Sequence, residues 1–194
     1  MDKLRAVYAD KRVGERFEFG RYPQGENGEI QPIVWRVLRR DPRSLLVISE
    51  LSLDGKTYND EFCEITWAEC SLRRWLNGEF YNTAFNREER GAVVPGSVSN
   101  NAGPETEDRV FLLSTAEAES LFVGDDDRRS EPSFFAAANA IHADASGCCW
   151  WWLRSRGGPA NLAAVVNAGG CVDSGGLLVC SVVCAVRPAV NLAF

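Results

Sequence analysis

The stretch GGPANLAAVVNAGGCVDSGGLLVCSVVCA, Gly157 to Ala185, decides how this chain is read. Two glycine pairs, Gly169-Gly170 and Gly175-Gly176, separate short valine-containing runs, and glycine accepts the positive φ that tight turns require. Val172, Val179 and Val186 recur at seven-residue steps, but the glycines between them break any helix. The pattern predicts short strands folded back on one another. Val172, Val179 and Val186 point inward, and their neighbours face solvent because successive strand residues alternate.

Upstream of this stretch, CCWWWLRS (Cys148 to Ser155) reads as a strand in which Trp150 and Trp152 share one side and Trp151 takes the other. Its tryptophans can form a sugar-stacking platform or fill core, and a mainly structural role is the favoured reading, while Arg154 and Arg187 are expected to brace loops through carbonyls or carboxylates. The first third is also strand-like: RFEFGR (Arg16 to Arg21), IVWRVL (Ile33 to Leu38) and LLVIS (Leu45 to Ser49) lie between turn-rich segments. A helical block follows. Thr66 or a residue near it is the expected cap of a segment through Trp67, Cys70, Leu72, Trp75 and Leu76, ended by Asn77-Gly78, with a second short helix over Glu79 to Phe85. Ser114-Thr115 starts another helix, with Glu117 placed to complete a capping box. Pro95 to Asp108 is expected to be an irregular loop, and Asp125 to Asp127 a solvated turn, since it lacks the alternating ligand spacing of a calcium loop.

With 194 residues, 45% of them hydrophobic, the chain can bury one core, so a single domain over 1–194 is expected. Formal charge is -6 and the basic residues are scattered, which argues against nucleic acid as a partner. The N-terminus is charged, and nowhere do about 18 apolar residues run together, so neither a signal peptide nor membrane insertion is expected. A cytoplasmic location, or association with a virion, follows from that reading. The seven cysteines contain no CxxC pair, and His142 is the one histidine available to supplement them, so no structural zinc site is expected.

Catalytic machinery is not visible. His142, in AAANAIHADAS, is the one side chain that ordinarily titrates near neutral pH, and GxSxG, HExxH, P-loop and dinucleotide motifs are missing. No cofactor is expected. Gly157 to Ala185 has a further peculiarity: Asp173 is its one charged residue, and it contains no Lys, Glu, Gln, Met or Trp. Asparagine codons end in a pyrimidine. If only their adenines are replaced, the codons produced can specify any residue except those five. A tight ribbon without room for long side chains would explain much of the same pattern.

FGRYPQ (Phe19 to Gln24), PIVWRVL (Pro32 to Leu38), LLVIS, SLRRWLNGEFYNTAF (Ser71 to Phe85), VFLLSTAEA (Val110 to Ala118), WWLRS (Trp151 to Ser155) and VRPAVNL (Val186 to Leu192) together resemble the DUF6273-type domain of bacteria and phages. The resemblance implies an α+β, C-type-lectin-like fold of the formylglycine-generating-enzyme branch, with a small twisted antiparallel sheet, flanking helices and long irregular loops. It also implies a variable protein of a diversity-generating retroelement, in which adenine-directed errors rewrite the 3′ end of the gene, here about 157–185. On that reading the chain is a non-catalytic binding protein. Its ligand-contacting set is Asn161, Leu162, Val165, Asn167, Cys171, Asp173, Leu177, Leu178, Cys180, Val182, Val183 and Cys184, held by a constant frame of Ala163, Ala164, Val166, Val172, Val179 and Val186, and the apolar character of the set points to a protein partner. The alternatives are a static adhesin or display module of a phage or cell surface, and then a formylglycine-generating-type enzyme, whose reactive cysteines have no matching constellation here.

Overall fold

The computed structural model describes residues 2–194 and has a mixed α+β architecture, mostly strands with a few short helices. The strands are Arg16–Pro23 (β1), Ile30–Asp41 (β2), Ser44–Ser49 (β3), Asp54–Gly55 (β4), Val93–Val94 (β5), Gly96–Val98 (β6), Thr106–Asp108 (β7), Val110–Phe111 (β8), Trp151–Arg156 (β9), Leu162–Val166 (β10), Val172–Leu178 (β11), Ala185–Val186 (β12) and Ala189–Ala193 (β13). The helices are Asp2–Arg5 (α1), Ser71–Trp75 (α2), Tyr81–Ala84 (α3), Arg87–Ala92 (α4), Thr115–Ser120 (α5), Asp125–Arg128 (α6) and Phe134–Ala138 (α7), with a π-helical turn over Leu76–Phe80.

Alternation along β2 turns Ile33, Trp35 and Val37 inward, and Trp35 Nε1 donates to the Phe19 carbonyl at 2.6 Å. β1, β2 and β3 form an antiparallel meander, and β13 adds to β3 with Ala189 opposite Ile48 and Leu192 opposite Leu45. The N-terminal ribbon and the end of the chain thus share one sheet. The 157–185 stretch does not join it. Its strands belong to a second sheet in the order β11-β10-β9-β12-β4, antiparallel except where β12 runs parallel to β9. One contiguous apolar cluster spans both sheets, from Tyr8 to Leu192.

Several local expectations need correction. Cys70, not Thr66, caps α2, its sulfur accepting from Arg73 N at 3.4 Å. Asn77-Gly78 does not end the helical block, because both residues lie inside the π turn that leads into α3. Pro95 to Asp108 contains the β6–β7 hairpin, anchored by the buried Asp108 carboxylate, which accepts from Trp67 Nε1 at 2.9 Å and Arg73 Nε at 2.7 Å. Asp125 to Asp127 is the solvated turn expected, with Asp125 and Asp126 exposed, and it opens the single turn of α6, where Asp127 pairs with Arg36 at 2.8 Å. Trp151 and Trp152 are both fully buried, whereas Trp150 is half-buried. The Ser114–Glu117 capping box of α5 is present as read.

Candidate functional site

The β10–β11 hairpin is shaped by its own polar side chains. Asn167 closes the connecting turn: its backbone N donates to the Cys171 carbonyl at 3.0 Å, and its Oδ1 accepts from Cys171 N at 3.0 Å. Gly170 has φ +87°, and a Cβ there would lie 1.8 Å from the Asp125 carbonyl oxygen, so the turn rests directly on α6. Buried Arg128 fastens the contact. Its Nε donates to the Gly170 carbonyl at 2.8 Å, its Nη1 to the Ala118 carbonyl at 3.3 Å, and it pairs with Asp125. Cys171 Sγ also reaches Asp125, at 3.0 Å, and that hydrogen bond holds the carboxyl below its usual range and the thiol above its own. Further along, Asp173 Oδ1 accepts from Gly175 N at 2.9 Å and Gly176 N at 3.2 Å. Gly176, at φ +79°, lets the strand resume pairing with Ala163, and a Cβ there would lie 2.2 Å from the Ala163 oxygen.

Exposure sorts the residues expected to contact ligand. Cys171, Leu178, Val182 and Val183 are exposed, while Asn161, Leu162, Asn167, Asp173, Leu177 and Cys180 are half-buried. Leu178 at 46%, Val182 at 61% and Val183 at 47% are large apolar side chains left open to water. Val165 and Cys184 do not belong with them, since both are fully buried. β10 is an inner strand between β9 and β11, and α5 packs against β9 and β11, so alternation does not bring Val165 to solvent. Cys184 immediately precedes β12, itself an inner strand between β9 and β4. In the frame, Ala163, Ala164, Val166, Val179 and Val186 are buried, and Val172 is half-buried against the core.

Of the exposed apolar residues, Val183 lines an open cavity of about 440 Å³, together with His142, Ala143, Asp144, Trp150, Ala168 and Leu177. Sequence reasoning assigned Leu177 and Val183 to a binding face and missed the others. His142 lies beyond the end of α7, on an exposed loop rather than a helix. Asp144 shapes that loop by accepting from the Ser146 hydroxyl at 2.5 Å, Ser146 N at 2.8 Å and Cys148 N at 3.2 Å, hydrogen bonds that lower its carboxyl below the usual range. Trp150 was the one member of this wall with a signal, as a large aromatic next to two core tryptophans.

Behind the cavity the scaffold is held by buried cations. Arg187 is fully buried, donating from Nε to the Ser49 carbonyl at 2.9 Å and from Nη1 to the Arg128 carbonyl at 2.9 Å, with its guanidinium 5.2 Å from the Trp151 ring centre. Burial pulls its pKa down to about 10, still far above neutrality, so it remains a cation. Arg154 donates to the Leu112 carbonyl at 2.8 Å and pairs with Glu117. Burial pushes the Cys70 thiol up to about 12 and the Cys149 thiol up to about 11, and raises that of Cys184, so these sulfurs stay protonated and poorly nucleophilic. Among the described residues no three His, Cys, Asp or Glu side chains converge as a metal site, and no helix is long and apolar enough to cross a membrane.

Residues 43–194 match the family described as a domain of unknown function, DUF6273. No curated protein and no solved structure matches the chain.

Proposed function

The chain belongs to the DUF6273 family, and from that premise we propose that it is a non-catalytic binding protein whose 157–185 stretch carries a diversified ligand-contacting surface. In this reading the scaffold is C-type-lectin-like, the gene is the target of a diversity-generating retroelement, and the ligand is a protein with a partly apolar surface. The protein acts in the cytoplasm or on a virion.

One observation carries the reading: the exposed Val183 and half-buried Leu177 wall a cavity with Trp150, and the exposed apolar Leu178 and Val182 adjoin those two in sequence, while the frame beneath is buried. Isolated exposed apolar residues need no explanation, but a group of them around a concavity is what a recognition surface presents. The permitted-residue pattern of Gly157 to Ala185 supports rewriting by adenine-directed errors. Asn167 and Asp173 favour the static display module at their own positions, because their side chains are engaged in the hairpin's hydrogen bonds. Those two residues are therefore assigned to the frame.

Deep sequencing of the gene's 3′ end in a growing population tests this. The expected result is codon variation concentrated at Leu177, Leu178, Cys180, Val182 and Val183, with a nearby near-identical repeat carrying adenines at the same codons. Uniform codons and no such repeat would leave the static module as the better account.

A further inference from the structure

A second cleft, of about 460 Å³, is built without any residue of the 157–185 stretch. It opens where the π turn faces β4 and the end of β1, and its walls include Tyr22, Asp54, Lys56, Glu79, Phe80 and Phe135. The π turn is itself notable, because such turns are rare and concentrate at functional sites. Asn77 pins its other side: Oδ1 accepts from Arg109 N at 2.8 Å, and Nδ2 donates to the Val110 carbonyl at 2.9 Å. Glu79 and Phe80, next along the turn, line the cleft.

The chemistry inside is specific. Asp54 is 4% exposed, its Oδ2 accepting from the Tyr22 hydroxyl at 2.6 Å and its Oδ1 from Gly55 N at 2.8 Å. Phe135, half-buried, supplies ring surface, and the buried rings of Tyr22 and Phe80 pack in the same wall, with Tyr22 4.9 Å from Phe80 and 6.2 Å from Phe135 between ring centres. Asp54 and Glu79 carry two negative charges and Lys56 one positive, so one negative charge is left over. Lys56 Nζ is held 5.2 Å from the Trp75 ring centre. Burial lifts the Asp54 carboxyl above its usual range despite the Tyr22 hydrogen bond and Lys56, and the charge of Glu79 adds to the rise.

We propose that this cleft binds a small organic cation, an alkylammonium or guanidinium group of side-chain size, with its charge at Asp54 and Glu79 and its body against the ring of Phe135. Carboxylates recognise the charge, and the ring face favours a cation over a neutral molecule of the same shape. An anion meets the surplus negative charge. The assignment is independent of the function proposed for the 157–185 surface.

The test follows backbone amide NMR shifts of the full chain, at Gly55 and Phe80, during titration with n-butylammonium, n-butanol and butyrate. Saturable shifts with butylammonium alone are expected. Glu79 is exposed, so E79Q should fold normally and weaken binding about tenfold, while K56M, which removes a competing cation, should tighten it. D54N should abolish binding. Equal shifts with butanol, no saturable shift with butylammonium, or affinities unchanged in both E79Q and K56M would overturn the proposal.

Discussion

Arg128 Nε donates to the carbonyl of Gly170 at 2.8 Å, joining a buried cation of α6 to the tip of the β10–β11 hairpin. The carbonyl of Arg128 in turn accepts from Arg187 Nη1 at 2.9 Å, so the hairpin is connected through two arginines to the floor of the first sheet. R128M should leave the Gly170 and Ala118 carbonyls without their donors and cost about 2–6 kcal/mol, since buried acceptors left unsatisfied cost about 1–3 kcal/mol each. Urea unfolding gives the loss. Hydrogen exchange should accelerate first at Gly170 and Cys171, and uniform acceleration across both sheets would speak against a local clamp.

The glycines of the stretch divide by what surrounds them. Gly170 and Gly176 combine positive φ with backbone oxygens within 2.2 Å of an added Cβ, whereas Gly158 meets nothing closer than 3.9 Å. G170A and G176A should each destabilise by more than about 1 kcal/mol, and G158A should stay within about 0.5 kcal/mol of the parent. Thermal melts of the three variants check the ranking.

Acid should weaken the first sheet through Glu50. Burial alone would raise this carboxyl, but hydrogen bonds from Arg36 and Arg16 overcome it and bring it from 4.5 down to about 2. A carboxylate depressed in the folded state stabilises fully above its unfolded pKa, and that stability is lost as pH falls through the folded one. The Glu50 contribution should therefore fade between pH 4.5 and about 2. Glu117, lowered by Arg154 against the effect of burial, acts in the same sense, whereas the raised Asp54 favours the folded state at low pH. Melting temperature against pH should fall less steeply over this window in E50Q than in the parent.

The strands of the first sheet were legible because apolar alternation and turn residues coincide in β1, β2 and β3. The α5 start was legible because both halves of its capping box lie within four residues of sequence. The β6–β7 hairpin was not. Its anchor, Asp108, is a carboxylate satisfied by Trp67 and Arg73 from a distant segment, and composition alone reads such a stretch as loop. The binding face was legible as a segment but not residue by residue. Strand alternation assumes one wet face, and β10 has none, which is why Val165 was misassigned. Most of the cavity wall comes from the loop at His142 to Asp144 and from Ala168, short polar or small residues with no pattern of their own.

Side chains at the Trp150 cavity and next to its lining residues in sequence should be exchangeable without cost to the fold, while those of the strands beneath should not. The direct measurement is a displayed library with pyrimidine-ended random codons at Leu177, Leu178, Cys180, Val182 and Val183, scored for the folded fraction and for binding to a panel of unrelated proteins. A second library varies Val165, Val166 and Val179, buried valines whose truncation should cost about 1–3 kcal/mol each. The account predicts that the first library stays largely folded and yields clones of differing specificity, and that the second mostly unfolds. Loss of folding in the first library to the same extent as in the second, or folded clones that bind nothing in the panel, would contradict it.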